Sequence, residues 1–124
     1  MIKFRILIVD DDGDVTLTLK VGLEENGFAV DFFNDAKTAL TNFKPHVYDI
    51  ILIDVKMPTM NGFEFYKEIE KIDKNAKVGF ITGFSVYYES LKQIFPEEDM
   101  CFFIKKPIEI DRLVERIQTE MMKS

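Results

Sequence analysis

The stretch "DVTLTLKVGLEENG", residues 14–27, decides the fold. Its apolar residues Val15, Leu17, Leu19, Val21 and Leu23 fall on every second position, and its β-branched content favours a strand. With Asp12-Gly13 directly ahead of it, the stretch reads locally as one arm of a β-hairpin. A second spacing is present in the same residues. Val15, Leu19 and Leu23 stand at i, i+4 and i+8, one stripe of a helix, and Gly27 offers a stop.

The choice between them comes from the rest of the chain. Five apolar runs suit strands: "FRILIV" (4–9), "FAVDFF" (28–33), "YDIILI" (48–53), "KVGFI" (77–81) and "CFFI" (101–104). Three are continuously apolar over their core, which suits a sheet covered on both faces. The intervening segments carry helical spacing. Ala36, Ala39, Leu40 and Phe43 share one face, with Asn34 or Asp35 available as cap. Phe63, Tyr66 and Ile69 recur every third residue, and Ile110, Leu113, Val114, Ile117 and Met121 form a stripe with charges opposite. A chain that alternates in this way needs a crossover after its first strand too, so 14–27 is predicted as helix. The expected fold is α/β, a (βα)5 doubly wound parallel sheet of five strands, in one domain spanning 1–124.

Bulk properties narrow the function. The 124 residues are 47% apolar, enough for a self-sufficient core. The net charge of −6 argues against a nucleic-acid surface in this domain. One cysteine, Cys101, allows no internal disulfide and fits a reducing cytoplasm; with a single histidine, His46, it gives no zinc-type site. No apolar run approaches the roughly 20 residues of a membrane span, and no signal peptide is recognisable at the N-terminus. His46 is expected on an exposed loop and Cys101 as a small buried filler.

Four apolar strands hand over to polar residues at their carboxyl ends: Asp10 and Asp11, Asp54, Thr82, and Lys105 with Lys106. In a parallel sheet those ends lie on one edge, where open α/β sheets bind ligands. One cluster of three carboxylates, a hydroxyl and an ammonium is therefore predicted, with Lys105 a solvated neighbour. Crowded carboxylates need a cation or a proton. Hard oxygen donors without imidazole or thiolate favour Mg²⁺. Mg²⁺ beside a lysine and a hydroxyl suits a phosphoryl group, and a carboxylate there can attack phosphorus to form an aspartyl phosphate. Asp12 or Asp14 is expected only to cap the following helix.

With "IVDDD", "LIDVKMPTMNG", "FITG" and "FIKKP" in order and at compatible spacing, the chain resembles a response-regulator receiver domain of two-component signalling, chemotaxis-regulator-like, over essentially its whole length. The resemblance implies the flavodoxin-like strand order 2-1-3-4-5. It implies Asp54 as phosphoacceptor, Asp11 and Asp54 on Mg²⁺ with Asp10 acting mainly through metal-bound water, and the backbone carbonyl of Lys56 completing the ligands. It further implies Thr82 and Lys106 on the phosphoryl group, a Lys106–Pro107 bond that is often cis, and Phe103 as switch aromatic, a residue that would otherwise be plain core. Implied partners are a histidine kinase or phosphotransfer protein, and a downstream protein or output domain met through the face of the fourth helix, fifth strand and fifth helix. The domain would be a monomer or a phosphorylation-dependent dimer. Two departures stand out: Asp99 and Met100 replace the usual Gly-Ala pair, and Lys56 and Phe84 occupy positions that tune dephosphorylation in the family. Tyr87 and Tyr88 can serve as core on one side and partner surface on the other.

Other readings compete. "ILIVDDDGDV" fits the signature of haloacid-dehalogenase-type phosphatases, with Asp10 as nucleophile and Asp12 as general acid/base, although no late acidic pair follows a strand. A calcium loop on Asp10, Asp12 and Asp14 fails, because Val15 and Val21 stand where Gly and Glu are needed. A receiver that binds without being phosphorylated is disfavoured by the intact acidic cluster.

Overall fold

The computed structural model describes residues 3–83 and 101–123, Cys101 by its backbone only. The elements are β1 (Arg5–Val9), α1 (Gly13–Glu25), β2 (Ala29–Phe33), α2 (Ala36–Asn42), β3 (Ile50–Asp54), α3 (Gly62–Ile72), β4 (Val78–Thr82), β5 (Cys101–Lys105) and a C-terminal helix (Ile110–Met122). All strand pairs are parallel, in the order β2-β1-β3-β4-β5. The fourth expected crossover falls within 84–100, outside the described residues, as do Phe84, Tyr87, Tyr88, Asp99 and Met100.

The topology follows from handedness. Right-handed crossovers that run from β1 out to β2, then back past β1 to β3 and on to β4, must place their helices on opposite faces. One face packs Ile6, Ile8, Ile50, Leu52, Ile81 and Phe102 against α1 and the C-terminal helix. The other packs Leu7, Val9, Ile51, Ile53, Val78, Phe80 and Phe103 against α2 and α3. The continuous apolar runs of β1, β3 and β4 are thus covered twice, each side chain gaining about 1.5–3 kcal/mol from burial.

The stretch 14–27 is helical as far as Glu25. Asp12 caps it, its carboxylate accepting from the amides of Asp14 (3.0 Å) and Val15 (3.3 Å). Leu19 and Leu23 enter the core and Val15 packs at its margin. Leu17 and Val21, the other members of the alternating pattern, are 56% and 47% exposed. Gly27, at φ +91°, turns the chain out of the helix in a conformation that costs a side-chain-bearing residue energy. α1 approaches the C-terminal helix closely: a Cβ on Gly22 would stand 2.6 Å from Ile110 Cδ1. Asp35 caps α2 through the Thr38 amide (2.9 Å).

Two sequence expectations need correction. The inner face of α3 is Gly62, Phe65 and Ile69, spaced i, i+3 and i+7. Phe63 and Tyr66 lie at its flank, half-buried against the ring of Phe80 (centroids 5.0 and 5.6 Å). On the C-terminal helix the charges are not all opposite the stripe: Glu120 is 2% exposed. Its burial is tolerated because cations surround it, Arg116 Nε and Lys123 Nζ each at 3.1 Å and Lys77 Nζ at 3.8 Å.

Candidate functional site

The strand ends deliver their polar residues to one place. Asp10 follows β1, Asp54 closes β3, Thr82 closes β4 and Lys106 follows β5. Asp10 and Asp54 flank the β1/β3 boundary, where the strand order reverses and a crevice opens. Asp10, Asp11 and Asp54 each present a carboxylate oxygen within 4.8 Å of the others; among the described residues they form the one such group of acidic, histidine or cysteine side chains. Asp10 is completely buried and Asp54 is 6% exposed, whereas Asp11 faces solvent. Lys106 Nζ lies 3.2 Å from Asp10 Oδ2 and 3.7 Å from Asp54 Oδ1. The Lys106–Pro107 peptide is cis.

A cavity of about 370 Å³ opens beside Asp54 and Lys106, lined also by Lys56, Met57, Thr82 and Gly83, with Asn61 and Phe63 at the start of α3. Asn61 and Glu64 form a capping box there: Asn61 Oδ1 accepts from the Phe63 and Glu64 amides, and Glu64 Oε1 accepts from the Asn61 amide. Gly62 lets α3 begin directly against the exit of β3. Its amide donates to the Val55 carbonyl (2.9 Å), and a Cβ on it would stand 2.6 Å from the Asp54 carbonyl oxygen.

The electrostatics are those of a cavity short of positive charge. Burial, then the neighbouring Asp10 carboxylate and more weakly Asp11, push the Asp54 carboxyl up to about 7, against the pull of Lys106 and the Lys56 amide. Burial would lower the Lys106 ammonium, but Asp10 and Asp54 outweigh it and raise the group above its ordinary value. Three hard oxygen donors, no imidazole or thiolate, and a carboxyl held high for want of a counter-charge fit a small divalent cation that keeps several waters.

Of the residues singled out in the sequence, Asp10 and Asp54 meet Lys106 directly, the Asp11 carboxylate lies within 4.8 Å of those of Asp10 and Asp54, and Thr82 and Lys56 line one cavity with Asp54 and Lys106. Lys105 is exposed. Phe103 is not among the lining residues. It is buried in the core, stacked on Phe80 (5.7 Å between centroids), whose ring meets Phe63 on the cavity wall. Asp12 is committed to capping α1, so the phosphatase reading loses its general acid and finds no support. Asn61, Gly62 and Phe63 were legible only as members of the "PTMNG" motif and the helix after it.

A two-sided parallel sheet with carboxylates and a lysine converging at its β1/β3 crevice defines an α/β domain built around a charged strand-end site. The chain belongs to the response-regulator receiver family: the family model described as response regulator receiver domain matches residues 6–118. It is 34% identical over 115 residues to the chemotaxis protein CheY of Bacillus subtilis, covering 91% of this chain and 93% of that one. It is 30% identical to the response regulator receiver protein CpdR of Brucella abortus, covering 92% and 93%. Other relatives are longer: the chain spans 51% of the transcriptional regulatory protein QseB of Haemophilus influenzae, at 28% identity. Among solved structures it is similar to the response regulator TrrA of Thermotoga maritima in complex with Mg²⁺ and BeF (TM-score 0.78, 29% identity, 94% of this chain and 98% of that one). It is likewise similar to a CheY-like receiver domain of Methanospirillum hungatei (0.79, 27%, 97% and 94%). No described helix is long and apolar enough to cross a membrane.

Proposed function

We propose that this receiver domain takes a phosphoryl group onto Asp54 from a histidine kinase or phosphotransfer protein in a Mg²⁺-dependent reaction. The observation that carries the reading is the Asp54 carboxylate on the wall of an open cavity, 3.7 Å from Lys106 Nζ and within 4.8 Å of the carboxylates of Asp10 and Asp11. Asp10, Asp11, Asp54 and the Lys56 carbonyl would hold the metal, which when bound supplies positive charge against the phosphoryl oxygens. An Asp54 oxygen forms the new O–P bond while the N–P bond of the phosphohistidine breaks, and the imidazole leaves with the bonding pair. Lys106 pairs with the transferred oxygens, and Thr82 donates its hydroxyl to one of them. Phe103 repacks as Thr82 moves, shifting a pre-existing equilibrium on the face of β5 and the C-terminal helix. That face would signal to a downstream protein or output domain. The domain acts as a switch in the cytoplasm, as a monomer or a phosphorylation-dependent dimer, without touching nucleic acid itself. Any catalysis is confined to its own phosphorylation and dephosphorylation.

The test is incubation with Mg²⁺ and acetyl phosphate followed by mass mapping. A single base-labile phosphoryl group on Asp54, absent from Asp54→Asn, is expected. Label on Asp10, or label that survives Asp54→Asn, would overturn the assignment.

A further inference from the structure

Asp10 is fixed through almost every polar atom it has. Its amide donates to the Phe33 carbonyl (3.2 Å), and its carboxylate accepts from the Asp12 amide (3.0 Å) and from Lys106 Nζ (3.2 Å). Its carbonyl oxygen accepts from Asn34 Nδ2 (2.8 Å), a side chain from the far corner between β2 and α2. The same nitrogen donates to Thr16 Oγ1 (2.9 Å), and the Thr16 hydroxyl donates to the Gly13 carbonyl (3.0 Å).

The chemistry of these bonds is directional. A carbonyl oxygen only accepts, so the amide nitrogen of Asn34 must face Asp10, and its two hydrogens are used once each. The Thr16 hydroxyl spends its one hydrogen on Gly13 and one of its lone pairs on Asn34. Thr16 has no exposed surface, so this hydroxyl has no water to fall back on, whereas Asn34 is itself exposed. A valine at position 16 would serve the core as well by shape; the hydroxyl is explained by the loop it ties.

What the loop carries is the acidic turn. The Asp10 carbonyl belongs to the peptide that leads into Asp11, so the Asn34 bond sets the plane of that peptide and the direction in which Asp11 departs. The Gly13 bond holds the far end of the same turn.

We propose that Asn34 and Thr16 are positioning residues for the metal site: a hydrogen-bonded strut from the β2–α2 corner that aims the Asp10–Asp11 turn at Mg²⁺. The inference rests on the reading of Asp10, Asp11 and Asp54 as the metal's holders. Neither residue touches the metal or the phosphoryl group. Their effect is on affinity, through the fixed orientation of groups that do.

The experiment is titration of the full chain with Mg²⁺ alone, by calorimetry, with thermal melting in EDTA alongside. Asn34→Ala and Thr16→Val are each expected to weaken Mg²⁺ binding about tenfold. Thr16→Ser, which keeps the hydroxyl, should stay within about twofold of the parent even though it loses a buried methyl and melts lower. The double variant should lose little more than either single one, because the two residues act through one strut. Unchanged affinity in Asn34→Ala overturns the proposal, and so does a loss in Thr16→Ser as large as in Thr16→Val, which would tie the effect to packing. If the parent protein itself binds no Mg²⁺, the metal reading fails and the strut fails with it; a parent that binds while the variants match it sinks the strut alone.

Discussion

Asp54 is held where a carboxylate is costly. Its folded value of about 7 lies above the ordinary 3.8, so unfolding releases a proton between those values. The sign follows: the metal-free domain loses stability as pH rises from about 4 to about 7, and the loss is complete above that. Asp54→Asn is therefore expected to stabilise the metal-free protein at pH 8 by about 1–3 kcal/mol, with no gain near pH 3.5, in urea denaturation with EDTA present. Equal stabilities at pH 8 would show that burial and Asp10 do not penalise the charge. Lys106→Met acts in the opposite direction. It leaves two adjacent carboxylates without their ammonium and should cost about 1–3 kcal/mol at pH 8 in the same assay. Glu120 shows what a buried carboxylate looks like when its charge is met, with Arg116, Lys123 and Lys77 around it.

At the scale of the element, α1 offers the sharpest test. A strand would place Leu17 and Leu19 on one face; the helix separates them, Leu17 outward and Leu19 into the core. Leu17→Gln should change stability by less than about 0.5 kcal/mol, and Leu19→Ala should cost about 2–4 kcal/mol, both read from denaturant midpoints. Equal losses would contradict the helix. Strands were legible because both-sided burial leaves an unbroken apolar run, and their ends were legible because each run stops at a polar residue. That is why Asp10, Asp54, Thr82 and Lys106 could be placed together before any geometry was known. α1 was legible only through its neighbours, since its own residues satisfy two periods. The inner face of α3 was misjudged because Phe63 and Tyr66 are as apolar as Phe65, and a one-residue difference in phase decides which ring points inward. Thr16 and Glu120 escaped notice because a buried polar residue is recognised by its partners, and for each of them one partner, Asn34 or Lys77, comes from a distant segment; Asn34 itself was legible only as a possible helix cap.

Across the whole molecule the two ends of the sheet are built on opposite principles. At the carboxyl ends like charges crowd around Asp54; at the other end Lys77, just ahead of β4, meets Glu120 in the last turn of the C-terminal helix. Lys77→Met should lower stability by about 1–3 kcal/mol and leave the Mg²⁺ dissociation constant unchanged, measured by melting and titration of the same samples. Mg²⁺ at a hundred times its dissociation constant should stabilise the domain by about 2.7 kcal/mol, and EDTA should reverse this. A melting point indifferent to Mg²⁺ would show that the folded form does not bind it. The close approach of Gly22 to Ile110 has a consequence for how the protein is made. A helix of 13 residues is marginal by itself, and this one carries a pattern that suits pairing with β1 as a ribbon. Its lasting neighbours include the helix Ile110–Met122, which leaves the ribosome after all five strands. α1 is thus fully secured only after the strands of the sheet have been made, and until then residues 4–23 need shielding from a second nascent copy.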